Sequence, residues 1–388
     1  MNETENTGEF STEVEETLEK TDEKCPQCGG TLDFNPETGE LICTYCGATV
    51  DIDDDEKKRA KELDFLMAEN DASCDWGAKT RTVICKNCGA ETVYDAGTVS
   101  GECPYCGSNQ VMEAGGEDIM APGGVCPFTV TQSTAGERFA GWLKSKLFCP
   151  RAAKKAAKAG KISGVYLPYW TFDSDTYSSY TARYGREHTV RRGKETHVEI
   201  RWYHTRGFYN TFINDELVAA TGKHDKKMLA AIEPFDTENN LEYKPEYLAG
   251  FASERYSLGL SEAWEEAKQG MASTIESDVY AKVRSEYNTN HVDSVRVHTD
   301  YRNVTYKYLL LPVWMSSFEY KGKTYRFMVN GRSGRVGGKY PISPLRVALA
   351  VLLGISAAML LAYIFASGEA DVAEVYIRNA ESYFQLTM

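Results

Sequence analysis

Eight cysteines arranged as four Cys-x-x-Cys pairs confine the N-terminal part of this chain to a small set of folds. Cys25–Cys28 and Cys43–Cys46 are separated by 14 residues, and so are Cys85–Cys88 and Cys103–Cys106; the second set begins 60 residues after the first. Each short pair spans one edge of a tetrahedron of thiolates around a metal, at about 2.3 Å per bond. Glycine follows the second and fourth cysteine of each set, at Gly29, Gly47, Gly89 and Gly107. There it lets the backbone take positive φ and turn its amides towards the sulfurs. Between the knuckles, TLDFNPETGELI reads as two short strands around a turn. AETVYDAGTVSGE repeats the plan, with its turn at Asp95-Ala96-Gly97. The spacing therefore predicts two small β zinc ribbons, at 24–52 and 81–113, each a closed structural Zn²⁺ site. Zinc is favoured over iron, although rubredoxin-like sites use similar knuckles. A closed site contributes folding energy and performs no catalysis.

The redox setting supports metal over disulfides. A chain of 388 residues with 11 cysteines and no secretory pattern at its start reads as a reduced protein. Cys74, Cys126 and Cys149 have no close sequence partner and are expected to be buried or idle thiols. Residues 1–23 are rich in acids and poor in large apolar groups, which predicts a disordered acidic tail.

A second feature lies at the other end. Val347 to Ala366 is a run of 20 uncharged residues, VALAVLLGISAAMLLAYIFA. As a helix it is roughly 30 Å long, the thickness of a bilayer's hydrocarbon core. The expectation is a transmembrane helix over 346–366, with a buried terminal helix as the competing reading. Arg332, Arg335, Lys339 and Arg346 precede it with no acid among them; Glu369, Asp371, Glu374 and Glu381 follow it against Arg378 alone. Basic flanks favour the cytoplasmic side. The chain is thus expected to be a single-pass protein of the inner (cytoplasmic) membrane, with its N-terminus cytoplasmic and 367–388 as a short extracytoplasmic tail.

The region 127–340 forms the bulk of the chain and reads as an α+β cytoplasmic domain. A helical linker is expected at 53–80 and a Gly- and Pro-containing linker at 114–126. Helical sequence runs from Thr134 to Lys161, broken at Pro150, and again from Ser261 to about Ser285 with Ser261 as N-cap. Aromatic-rich strands are expected around 165–185, 197–213, 294–299 and 303–315. A hairpin turn is placed at Lys321-Gly322 and another turn at Asn330-Gly331. LPYW at Leu167–Trp170 recurs as LPVW at Leu311–Trp314, a hint of internal duplication.

Charge argues against the usual nucleic-acid reading of zinc ribbons. The net charge is −13. Residues 25–52 contain no lysine or arginine but do contain Asp33, Glu37, Glu40 and Asp51; from Cys85 to Cys106, Lys86 faces Glu91, Asp95 and Glu102. Phosphate binding relies on cations displacing counterions, and these modules offer almost none. The one basic stretch holds Arg138, Lys144, Lys146, Arg151, Lys154, Lys155, Lys158 and Lys161, with Trp142, Leu143, Leu147 and Phe148 as an apolar face. It reads first as a solvated helix face packed on the core, second as a contact for anionic lipid, third as a nucleic-acid contact. Arg183, Arg186, Arg191 and Arg192 extend it if they share its face. No phosphate-binding glycine loop, nucleophile elbow or metal-hydrolase signature is present, so no enzyme activity is expected.

CPQCGG, CPYCGS, YLPYWTFD, LPVW, VNGRSGRVGG and the terminal span, taken together, resemble a family of bacterial zinc-ribbon membrane proteins. Its members are described as carrying a transcription factor IIB-type zinc ribbon and are often mislabelled helicase-like or primosomal. The resemblance implies a membrane-associated scaffold, in some cases tied to envelope stress, with protein partners at the inner membrane. The expectation is therefore an adaptor that recruits proteins to the cytoplasmic face of the membrane. The alternative is a membrane-tethered nucleic-acid-binding protein of transcription or replication.

Overall fold

A computed structural model describes residues 25–52, 58–70, 80–85, 91–95, 111–113, 120, 122–157, 162–192, 195–222, 224–254 and 256–363. Chain contacts divide it into two units. The first comprises Met1–Phe139, Ala159–Ser317 and Arg326–Gly338; the second comprises Ala140–Lys158, Phe318–Tyr325 and Lys339–Met388.

The first unit is built on three long strands: β9 (Ser163–Arg192), β10 (Glu195–Ala219) and β13 (His291–Tyr320). β9 is central, pairing antiparallel with β10 on one side and β13 on the other. Tyr, Trp, Phe, Val and Thr dominate these segments, residues whose bulk suits a pleated surface. The strands run much further than the sequence reading had them. Three irregularities keep them continuous, between Ile213 and Glu216 on β10, and between Asp293 and Arg296 and between Arg302 and Thr305 on β13. Asp215 and Asn303, with φ of 54° and 50°, sit at the first and last of these breaks. Such bulges let a strand bend without ending.

Around the three strands lie short ones. β4 (Leu63–Asp64) and β8 (Gly124–Val125) pair with β13, and β8 also with β11 (Leu241–Glu242). β12 (Ala252–Ser253) joins β9 to β6 (Glu91–Asp95), which continues through β5 (Thr80–Cys85) to β7 (Val111–Glu113). β14 (Lys323–Asn330) and β15 (Val336–Gly338) complete a twelve-stranded sheet. The turns at Lys321-Gly322 and Asn330-Gly331 fall where the sequence placed them. LPYW and LPVW face each other across the β9–β13 ladder, with Leu167 opposite Leu311.

One helix on each face closes the core. α3 (Lys226–Ile232) starts at Asp225, whose side chain accepts the amide of Lys227. It buries Met228, Leu229 and Ile232 against Val165, Leu167, Tyr169, Leu309, Leu311 and Val313. α4 (Leu260–Glu286) carries a strict four-residue stripe, Ala263, Ala267, Met271, Ile275, Val279 and Val283, all fully buried. Its last turns pack on Tyr180 and Ala182 of β9 and Tyr209 of β10. Met271, Ile275, Val279 and Val283 each contribute about 1.5–3 kcal/mol by burial. Gly270 interrupts the helix's good formers because a Cβ there would collide with the Glu216 carboxylate. The cap of α4 is Gly259, two residues before the expected Ser261.

Two linker expectations are corrected. Over 58–70, where a helix was expected, Leu63–Asp64 pairs with Thr305–Tyr306 and Phe65–Asn70 forms a 3-10 helix, with Asp64 Oδ1 accepting the amide of Leu66. Strand pairing there satisfies backbone groups that a helix would otherwise satisfy internally. Residues 124–126, read as the end of a linker, are core: Val125 and Cys126 are fully buried. The expected acidic tail at 1–23 and the tail at 367–388 lie outside the described residues.

The second unit contains the C-terminal half of α1 (Gln132–Ser145), the whole of α2 (Arg151–Ala156) and an apolar helix, α5 (Pro344–Tyr363). Pro150 stands at the break, as its missing N–H and fixed φ require. α5 is long and apolar enough to cross a membrane, and none of it is buried.

Candidate metal centre and an uncovered sheet face

The first cysteine set folds as a three-stranded sheet of β1 (Leu32–Phe34), β2 (Leu41–Cys43) and β3 (Thr49–Val50). Its two knuckles are built alike. Cys25 N donates to Gly30 O and Gly29 N to Cys25 O; Cys43 N donates to Ala48 O and Gly47 N to Cys43 O, all at 2.8–3.0 Å. Gly29 and Gly47 hold φ of 72° and 74°, the left-handed region in which glycine alone is unstrained. The ligand atoms of Cys25, Cys28, Cys43 and Cys46 all lie within 4.8 Å of one another. Cys25–Cys46 and Cys28–Cys43 are each 3.5 Å apart, Sγ to Sγ. A tetrahedron with bonds of about 2.3 Å has edges of roughly 3.8 Å, so this quartet fits a metal ion and is compatible with zinc.

The surroundings of the sulfurs favour thiolate at one end and strain it at the other. Amides of Cys46 and then Tyr45, aimed at Cys43 Sγ, hold that thiol down at about 6. At Cys28 the Gly30 amide also favours thiolate, but the neighbouring thiols of Cys46 and Cys43 outweigh it and push the group up to about 12. Four crowded thiols cannot all ionise without a cation among them.

This small sheet is anchored within its unit. Phe34 packs edge-on against Tyr247 at 5.8 Å, and Phe34 N donates to Ala249 O. Asp33 is half-buried there, and burial raises its carboxyl above the usual range. Of the second set, Cys85 ends β5, whereas Cys88, Cys103 and Cys106 lie outside the described residues. One cysteine cluster is therefore seen among the described residues.

Beyond the expected sites, the structure assembles a buried ion cluster at the bulges. Lys307 Nζ lies 2.8 Å from Asp215 Oδ1, 3.3 Å from Glu62 Oε1 and 3.8 Å from Asp173 Oδ2. Asp173 also accepts from the Asp215 amide (2.6 Å) and the Thr305 hydroxyl (3.3 Å). Burial lifts the Asp173 carboxyl; at Lys307 burial acts downward, but the hydrogen bond to Asp215 and the three carboxylates win and hold the ammonium up. A second buried pair, His224 Nε2 with Glu254 Oε2 at 2.9 Å, also binds the Thr221 hydroxyl through Glu254 Oε1. The acid in YWTFD, inside an otherwise apolar strand, was the one sequence signal for the first cluster.

Strand alternation exposes a further surface. On the distal half of the three-stranded sheet, Tyr180 and Ala182 point to α4, so odd-numbered β9 residues and their cross-strand partners point away from it. That face carries Tyr177, Trp202, Phe208 and Phe212, 42, 40, 78 and 56% exposed. Arg302 lies over Tyr177 at 4.7 Å and Arg183 over Trp202 at 5.2 Å. Arg183 also forms a two-pronged ion pair with Asp293, at 2.8 and 2.7 Å. By register, Arg183, Arg206, Arg296 and Arg302 share the face with Asp175, Glu187, Asp293 and Asp300.

The expected basic patch is divided. Arg138 belongs to the first unit, while Lys144, Lys146, Arg151, Lys154 and Lys155 belong to the second; Lys158 and Lys161 lie outside the described residues. Arg183 and Arg191 lie on the opposite face of β9 from Arg186, so the expected extension forms no single patch. Cys126 and Cys149 are fully buried, as expected of idle thiols, and burial pushes Cys126 up to about 12.

No protein-family model matches the chain, and no solved structure matches it. It is 32% identical over 325 residues to the uncharacterized protein YdjG of Bacillus subtilis (strain 168), an alignment covering 84% of this chain and 91% of that protein. The chain belongs to the YdjG family. The alignment leaves out about 16% of this chain, so the YdjG relationship takes in most of the large sheet domain.

Proposed function

We propose that this protein is a membrane-anchored, metal-stapled adaptor that recruits another protein to the cytoplasmic face of the membrane. The observation that carries the proposal is the sheet face left open among the described residues. Tyr177, Trp202, Phe208 and Phe212 interleaved with arginine is the composition of protein-binding hot spots, and large exposed aromatics on a monomer mark contact surfaces. α5 supplies the anchor, and the basic residues preceding it favour a cytoplasmic N-terminal side. Zn²⁺ held by Cys25, Cys28, Cys43 and Cys46 fixes the N-terminal sheet, and Cys85, Cys88, Cys103 and Cys106 form a second site of the same kind. Bound zinc supplies no chemistry to a substrate in this reading. It closes a fold too small to hold itself together.

Aromatic side chains on a sheet also suit base stacking, which gives the nucleic-acid reading a foothold. The charges weigh against it: five arginines on the face, Arg191 among them, meet four carboxylates, leaving little net attraction for phosphate.

Phe208→Asp with Phe212→Asp tests the proposal. Both side chains are largely solvent-exposed, so the unfolding midpoint should move by no more than about 1 kcal/mol equivalent. Affinity capture of the tagged full chain from detergent-solubilised membranes should lose its specific partner by at least about tenfold. Unchanged capture contradicts the assignment of this face. Retention of the unmodified protein on single-stranded DNA or RNA at low salt, lost in the variant, would establish the nucleic-acid reading instead.

A further inference from the structure

We infer that the second unit contains a seat for anionic lipid headgroups, formed by the end of α1, the 146–150 turn and α2 at the foot of α5. The inference rests on the reading of α5 as a membrane span. Its observation is a set of ties that fix a cationic segment to the first turn of that helix. Arg346 Nη1 donates to the carbonyls of Leu147 (2.9 Å) and Cys149 (2.7 Å), and Ser343 N donates to Phe148 O (2.9 Å). Ser343 precedes Pro344 and receives the Val347 amide, so it stands at the start of the apolar helix. The 146–150 turn is thereby held at the level where the helix leaves water for hydrocarbon.

The chemistry around that level is of one kind. Lys144, Lys146, Arg151, Lys154 and Lys155 follow one another with no acid between them. Lys154 Nζ donates to Lys144 O at 2.6 Å, bringing the α2 cations back towards the end of α1. Lys146 Nζ sits 4.7 Å from the Trp142 ring centroid and 5.7 Å from that of Tyr340, and the two rings meet edge-on at 5.7 Å. A Trp–Tyr pair with a lysine against it has the composition of a membrane–water interface. Leu147, Ile342 and Leu345 project beside them, 80, 60 and 78% exposed, apolar surface that water disfavours and acyl chains cover. Cations fixed beside exposed leucines select a surface that is anionic outside and apolar beneath. Each cation is expected to raise affinity for such a surface on the order of fivefold.

Photo-cross-linking in the full chain, reconstituted in bilayers, tests the seat. A benzophenone side chain is placed at Leu147 or, as a reference for the span, at Leu352. Bilayers contain phosphatidylcholine alone or mixed with phosphatidylglycerol. The expected result is lipid adducts at Leu352 in both bilayers, and adducts at Leu147 that rise at least threefold with phosphatidylglycerol. Lys144→Glu, Lys146→Glu, Arg151→Glu, Lys154→Glu and Lys155→Glu together should abolish that rise. Arginine at the four lysine positions should preserve it, which separates charge from local folding. Lipid adducts at Leu352 with none at Leu147, or with no dependence on lipid charge, overturn the seat and leave the span standing. A Leu147 probe that reacts with a protein in native membranes also overturns it. Absence of lipid adducts at Leu352 overturns the span, and the seat with it.

Discussion

Stripping metal from the intact chain with a strong chelator at neutral pH is expected to melt β1–β3 while the long sheet keeps its structure. The three strands contain eight residues in all, and their buried side chains reduce to Leu32, Phe34 and Leu41 besides the cysteines. Such a sheet cannot offset the entropy of ordering its own backbone. Structural zinc contributes about 10–16 kcal/mol in comparable small sites, far more than the Phe34–Tyr247 contact supplies. Amides of residues 25–50 should therefore exchange on the order of a thousandfold faster after chelation, as read by hydrogen exchange and mass spectrometry. Cys25→Ser with Cys43→Ser should behave like the chelated protein and lose one equivalent of zinc. Reloading should release protons at neutral pH, because the thiols of the melted sheet hold the ordinary cysteine value of about 8.5 and must ionise to bind. Unchanged protection over 25–50 after complete metal removal would show that the quartet is not a metal staple.

Lys307→Ala is expected to destabilise the sheet domain by about 3–5 kcal/mol, read as a shift in the urea midpoint. The lysine is almost fully buried, and its removal leaves Asp173 and Asp215 facing each other without a counter-charge. Glu62 is half-exposed and contributes little of this. Adding Asp173→Asn and Asp215→Asn to Lys307→Met should recover most of the loss, since neutral partners need no cation. The pH dependence follows from the raised ammonium. A group held above its unfolded value stabilises in full below that value, here 10.5, and the contribution disappears as pH rises through the folded one. The difference in stability between the unmodified chain and Lys307→Ala should therefore be constant through neutral pH and shrink only at strongly alkaline pH. A midpoint shift under about 1 kcal/mol for Lys307→Ala would mean that water, not the lysine, satisfies the two carboxylates.

These two sites differ in how far they could be read from the chain. The quartet was legible because its geometry is local: two residues between cysteines and a glycine after each pair leave few alternatives. α5 was legible for the same reason, as one uninterrupted run. The Lys307 cluster was not, because Asp173, Asp215 and Lys307 come from three strands and are brought together by register alone. The lengths of β9 and β13 were underestimated because one end of each is buried on both faces and the other alternates, so a single period never describes the strand. β8 passed for a linker because Pro122 and Gly123 before it, and its own Gly124, look like loop chemistry; at Gly124, Leu309 and Ala60 leave no room for a Cβ. The uncovered face was invisible as well. Phe208 and Phe212 read as ordinary strand aromatics until the position of α4 showed which side of the sheet it leaves open.

The central claim is that this face meets a protein at the membrane. It is tested most directly by placing a photo-reactive side chain at Phe208 of the full chain and irradiating intact cells. The account predicts a discrete protein adduct that stays with the membrane fraction and disappears when Phe212→Asp is added. Cross-links to nucleic acid, or a reactive Phe208 probe that yields no adduct while the chain remains in the membrane, would contradict it.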